Sequence, residues 1–101
     1  MDLKTIKELL EQVGIPVAYR AFRKKQAPPF ICYLVAYNNN FAADGKTYYP
    51  IKHMQIELYT EMKDEELEKR VEETLSSFFW EKSEEFIETE NLYQIIYEIE
   101  V

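Results

Sequence analysis

One histidine, His53, and one cysteine, Cys32, bound the side-chain chemistry open to this chain. They could form a nucleophilic pair only if their strands lay side by side, the imidazole taking the thiol proton. Cys32 falls in an apolar run at 30–37, where a free cysteine acts as a small hydrophobe and burial keeps its thiol protonated. The same-face acid nearest His53 in sequence is Glu57, four residues along an extended strand and about 13 Å away by rise. That spacing cannot hold one ion. A single cysteine also excludes a disulfide framework and an all-cysteine metal site. Glu98 and Glu100 share a strand face but lack a partner base, and they read as the wet side of an edge strand, whose charge blocks stray pairing. A phosphate cradle needs several converging glycines, and Gly14 and Gly45 are the two this chain has. No catalytic, cofactor-binding or metal-binding residue is assigned, and the expectation is a protein that is not an enzyme.

What remains is charge and aromatic surface. Arg20, Arg23, Lys24 and Lys25 interleave with Tyr19 and Phe22, a pattern compatible with nucleic acid. The net charge of −7 opposes it, because affinity for nucleic acid rests on neutralising phosphates, so no specific nucleic-acid binding is expected. The charge is also uneven. Residues 1–50 hold seven Lys/Arg against four Asp/Glu, a net of +3, while residues 51–101 hold five against fifteen, a net of −10. Opposite fields on one molecule favour head-to-tail association of copies, whereas acids spread over a helix and sheet edges would only solubilise it. At 101 residues, 47% apolar and 15% aromatic, the chain suits one compact α+β domain, and its aromatic content excludes disorder. Its apolar runs are too short for a membrane span or a signal peptide.

The elements that must position these groups follow from periodicity. Leu3, Ile6, Leu9, Leu10 and Val13 form one helical stripe, with Asp2 as N-cap and Gly14-Ile15-Pro16 as the stop. Extended segments are expected at 17–22, at 30–37 in the middle of the sheet, and at 47–60. In the last of these, Met54, Ile56 and Leu58 face the core and Gln55, Glu57 and Tyr59 the other side. Asp44-Gly45 is a two-residue hairpin signal, so 41–49 reads as the outer part of a projecting β-hairpin, or as an arm folded back on the body. A second helix is expected over 64–79, capped by Asp64, with Leu67, Val71, Leu75, Phe78 and Phe79 as its apolar stripe. Its acids are read as a solvated face carrying i,i+4 pairs such as Glu65/Lys69 and Glu66/Arg70. A short strand at 84–89 and an alternating one at 92–101, joined through a turn near Asn91, complete the order α-β-β-β-α-β-β. This describes a single mixed, mainly antiparallel sheet with two helices packed on one face.

The sequence resembles a family. Gly14-Ile15-Pro16-Val17-Ala18-Tyr19, Pro29-Phe30-Ile31-Cys32-Tyr33, Asn39-Asn40-Phe41-Ala42-Ala43-Asp44-Gly45-Lys46 with Tyr48-Tyr49, Ile56-Glu57-Leu58-Tyr59-Thr60 and Tyr97-Glu98-Ile99 occur in this order across nearly the whole chain. In that order they are similar to the small head-to-tail joining proteins of long-tailed phages and prophages, most closely the tail terminator, or tail-completion, group, also described as minor capsid proteins. The resemblance implies a structural virion assembly protein that forms a ring, typically a hexamer, caps the tail tube and joins it to the head connector. Its partners would be itself, the tail tube protein and the head connector proteins, with no cofactor and no membrane. Its places would be the host bacterial cytoplasm during assembly and then the virion. The residues themselves suggest Phe41, Tyr48 and Tyr49 on the arm, with Tyr59, Arg23, Lys24 and Lys25, as interface positions. The competing expectation is a small prophage-encoded regulatory or adaptor protein that binds one cellular protein.

Overall fold

The computed structural model describes residues 1–39, 41–43 and 45–101, with the backbone alone described at 41–43 and 46–49. Helix α1 (Leu3–Glu11) begins where the Asp2 carboxylate accepts from the Thr5 amide at 2.8 Å, satisfying a donor the helix leaves free. Beyond it Gly14 takes φ +91°, the left-handed region open to glycine, and ends the turn. Helix α2 (Glu65–Thr74) is capped in the same manner, Asp64 accepting from Leu67 N at 3.1 Å. It stops five residues short of the expected end at Phe79. Ser76 and Ser77 are weak helix formers, and the chain must leave the helix here to lay Trp80 edge-on against Tyr97, with ring centroids 5.6 Å apart. Phe78 is therefore half-buried and Phe79 is 85% exposed, where both were expected in the stripe.

Among the described residues seven strands occur in chain order: β1 (Val17–Tyr19), β2 (Phe30–Asn38), β3 (Phe41–Ala43), β4 (Lys46–Tyr49), β5 (Lys52–Thr60), β6 (Glu81–Ile87) and β7 (Leu92–Glu100). Five of them form one mixed sheet in the order β1-β2-β5-β7-β6, in which only the β1–β2 pair is parallel. The α+β class and one-sided helix packing expected from periodicity are what the structure has. Three boundaries differ. The segment expected as one strand at 47–60 is broken at Pro50-Ile51, where proline offers no amide to a ladder, so β4 and β5 belong to different sheets. The first strand ends at Tyr19, because Arg20 turns the chain at φ +64°. The sixth strand starts at Glu81 and ends at Ile87, earlier than the expected 84–89, since its register is set by pairing with β7 from Glu81↔Glu98 to Ile87↔Leu92. The middle strand is β5, with β2 beside it.

Ile31, Tyr33, Met54, Ile56, Leu58, Ile95, Tyr97 and Ile99 supply the covered face of the sheet, and Ile6, Leu10, Val13, Leu67, Val71 and Leu75 close over it from the helices. The two-stranded ribbon β3–β4 stands outside this sheet. Its base is tied by the Asn39 amide donating to Ile51 O at 2.7 Å. Overall extents are 49 × 27 × 23 Å with a radius of gyration of 14.6 Å, against about 13 Å for a compact domain of this length. The elongation matches a projecting arm. The turn assigned to Asp44-Gly45 lies partly outside the described residues, Gly45 being described with φ +74°.

Candidate functional site

Alternate residues of the same strands form a second face that neither described helix covers. On it Phe30 lies opposite Tyr59, Cys32 opposite Glu57 and Leu34 opposite Gln55, while Tyr59, Glu57 and Gln55 face Gln94, Ile96 and Glu98 on β7. At the end of the sheet where β2 begins and β5 ends, the segment after β1 folds back over this face and encloses a concavity of about 780 Å³. The fold-back starts at Arg20. Its amide donates to Tyr33 O at 2.9 Å, its guanidinium donates to Val35 O at 3.4 Å, and it lies over the Tyr19 ring at 5.8 Å. These contacts hold a left-handed backbone that an arginine seldom adopts alone.

Arg23, Lys24 and Lys25, three of the seven expected interface residues, are exposed on the wall of this concavity, and a fourth, Tyr59, lies in its floor. The structure thus brings together residues 34 positions or more apart in sequence. Among the described residues, none of the three cations is in an ion pair. Phe22 meets Phe30 edge-on at 5.3 Å and Phe30 stacks on Tyr59 at 4.9 Å, giving the floor an aromatic ladder. The Tyr59 hydroxyl donates to Glu57 Oε1 at 3.1 Å and accepts from Gln94 Nε2 at 2.9 Å. Burial raises the Glu57 carboxyl above its ordinary value, against the Tyr59 hydrogen bond and the Arg20 charge. Burial, with Glu57 beside it, also raises the Tyr59 phenol and pushes the Cys32 thiol up to about 11. A thiol held protonated at neutral pH is a poor nucleophile. Cys32 and His53 do lie on adjacent strands, but Cys32 faces Glu57, four residues along β5 from His53, a separation of about 13 Å. They form no catalytic pair.

The other end of the open face is acidic. His53 is flanked across β7 by two carboxylates that its own neighbourhood in sequence does not reveal: Nε2 lies 3.0 Å from Glu98 Oε1 and Nδ1 3.8 Å from Glu100 Oε1. Its ring stacks on Tyr37 at 4.5 Å and 7°. Glu98 and Glu100 are therefore on an interior strand, not the edge expected of them; β6 is the edge on that side of the sheet. Their parity was visible in the sequence, as was that of His53, but only the β5–β7 register joins them. Among the described residues, no group of three or more His, Cys, Asp and Glu side chains is arranged to hold a metal ion.

No family model, curated protein or solved structure matches the chain.

The acid run of α2, expected as a solvated face, is partly buried. Glu68 is 2% exposed and takes Lys63 at 2.7 Å and Lys82 at 2.8 Å, while Lys82 also meets Glu72 at 2.8 Å and Tyr97 donates to Glu72 at 2.7 Å. None of the expected i,i+4 pairs forms an ion pair among the described residues. The partners come from the turn before α2, from β6 and, through Tyr97, from β7, so these acids seal the helix to the sheet. Of the remaining expected interface residues, Phe41, Tyr48 and Tyr49 lie on β3 and β4, with Phe41 opposite Tyr49, and their side chains fall outside the described residues. No described helix is long and apolar enough to cross a membrane.

Proposed function

We propose that this chain is a structural assembly subunit of a long-tailed phage or prophage, a tail terminator that closes into a ring on the finished tail tube and meets the head connector. The observation that carries the reading is the β3–β4 ribbon, which pairs with itself and leaves the five-stranded sheet. A subunit in a ring must present two different surfaces to its two neighbours, and an arm on one side with a bare sheet face on another supplies two. The family resemblance and the uneven charge of the two halves support the same reading.

The test is assembly in the presence of tail tubes, followed by light scattering and negative-stain imaging. Rings are expected with the native chain. Replacing Tyr48 and Tyr49 with serine should leave a folded monomer that no longer closes rings, as loss of aromatic anchors does at interfaces. Intact rings in the double variant would remove the arm from the interface. A stable monomer that binds one cellular protein and ignores tubes would favour the adaptor reading instead.

A further inference from the structure

We propose that the open sheet face carries both halves of one heterologous contact, a basic socket at one end and an acidic plug at the other, so that the plug of one copy seats in the socket of the next. The inference rests on the ring reading only in requiring a second copy of the chain.

The socket is the concavity whose lining carries four cations, Arg20, Arg23, Lys24 and Lys25, against two carboxylates, Glu61 and Glu90, over the Phe22–Phe30–Tyr59 aromatic floor, so its excess charge is positive. Three of its cations are exposed and without a carboxylate partner among the described residues, in a molecule whose net charge is −7. The plug surrounds a second, smaller recess at the end of the sheet, where His53, Glu98 and Glu100 of the open face meet Phe79 and Glu81 at the start of β6, with Ile99 of the covered face behind them. Phe79 is 85% exposed there, a large apolar side chain with carboxylates beside it. Cations around an aromatic floor are complementary to carboxylates around an aromatic knob in both sign and polarity.

The two halves cannot meet within one molecule. His53 and Tyr59 mark the plug and socket ends of β5, six residues apart, which is about 20 Å of strand. A contact between unlike patches at opposite ends of one face is head-to-tail, the type that propagates and can close into a ring. The exposed carboxylate Glu81 begins the edge strand β6, where no neighbouring strand obstructs an approaching subunit.

Lys24→Cys and Phe79→Cys, each at an exposed position, are mixed in equal amounts under mild oxidation, with the native chain and each variant alone as controls. The mixture should cross-link about tenfold faster than either variant alone, an electrostatic acceleration. The advantage should collapse when salt rises from about 0.1 M to about 1 M and the screening length falls from about 10 Å to about 3 Å. Arg23→Glu and Glu81→Lys should each abolish the preference in the matching cysteine background, and combining them across the two chains should restore it. Equal cross-linking of each variant with itself, or none at all, overturns the proposal. Rings that form in both charge-reversed variants overturn it while leaving the ring reading intact. Selective cross-linking without rings on tubes supports the socket and overturns the ring.

Discussion

The two faces of the five-stranded sheet are made by the same strands at alternate positions, yet they are finished by different chemistry. Beneath the helices Met54, Ile56, Leu58, Ile95 and Tyr97 are fully buried. The charge admitted to that layer, Glu68, is held by two lysines. On the open face Gln55, Glu57, Tyr59, Gln94 and Ile96 are half-buried, and the polar groups Glu57, Tyr59 and Gln94 satisfy one another without a helix above them. A permanently covered layer excludes polar atoms or neutralises them completely. A face that keeps apolar, aromatic and charged groups side by side is finished as a surface, with cations in excess at one end and carboxylates at the other.

The largest expected effect tests the covered face. Ile56→Ala or Leu58→Ala should cost about 2–5 kcal/mol of folding stability through lost transfer energy and a residual cavity, measured by denaturant unfolding. Ile96→Ala on the opposite face of the same sheet should cost about 1 kcal/mol or less, since the site is already half open to water. Equal losses on the two faces would break the comparison.

Next in size is the seal between α2 and the sheet. Burial by itself would raise Glu68, but hydrogen bonds from Lys63 and Lys82 outweigh it and hold the carboxyl below its ordinary 4.5. Glu72 is lowered in the same way, burial being overcome by Lys82 and Tyr97. Because both folded values lie below the unfolded one, their stabilisation is complete above the ordinary carboxyl range and is lost as pH falls through the native values. Glu57 runs oppositely: raised by burial, it costs stability at neutral pH and relieves that cost as it takes a proton. Thermal unfolding between pH 7 and pH 3 should show a net acid loss that shrinks in Glu68→Gln, and that variant should lose about 1–3 kcal/mol at neutral pH by leaving buried hydrogen-bonding capacity unmet. An unchanged acid profile would place the acid sensitivity elsewhere.

Smaller effects belong to the open face. Tyr59→Phe removes one donated and one accepted hydrogen bond and should cost about 0.5–1.5 kcal/mol, read by unfolding. Arg23→Glu with Lys24→Glu should change folding stability by about 0.5 kcal/mol or less, as exposed charges without partners do. The same pair should weaken self-association measured by sedimentation. A large stability loss from that pair would mean the cations hold the fold together.

Much of the architecture was legible because it is local. Caps at Asp2 and Asp64, the left-handed turns at Gly14 and Asn91, and the alternation of Met54, Ile56 and Leu58 against Gln55, Glu57 and Tyr59 are decided by neighbours a few residues apart. The candidate site was legible as residue types and hidden as a place. Tyr59 and the cluster at Arg23, Lys24 and Lys25 stood out singly, but nothing in their spacing puts them around one concavity. Phe79 leaves the stripe that periodicity extrapolates past Leu75, because the packing of Trp80 on Tyr97 ends the helix first.

The sequence by itself determined which residues share a strand face or a helix stripe, since backbone geometry repeats every two or 3.6 residues whatever the chain packs against. Only the tertiary structure decided which faces meet. Strand order and register brought Glu98 and Glu100 to His53, Lys63 and Lys82 to Glu68, and the basic segment onto the open sheet. The longest of these pairings, His53 with Glu100, joins residues 47 positions apart, a separation at which closure entropy and the packing of the whole core choose the partner and local propensity has no say.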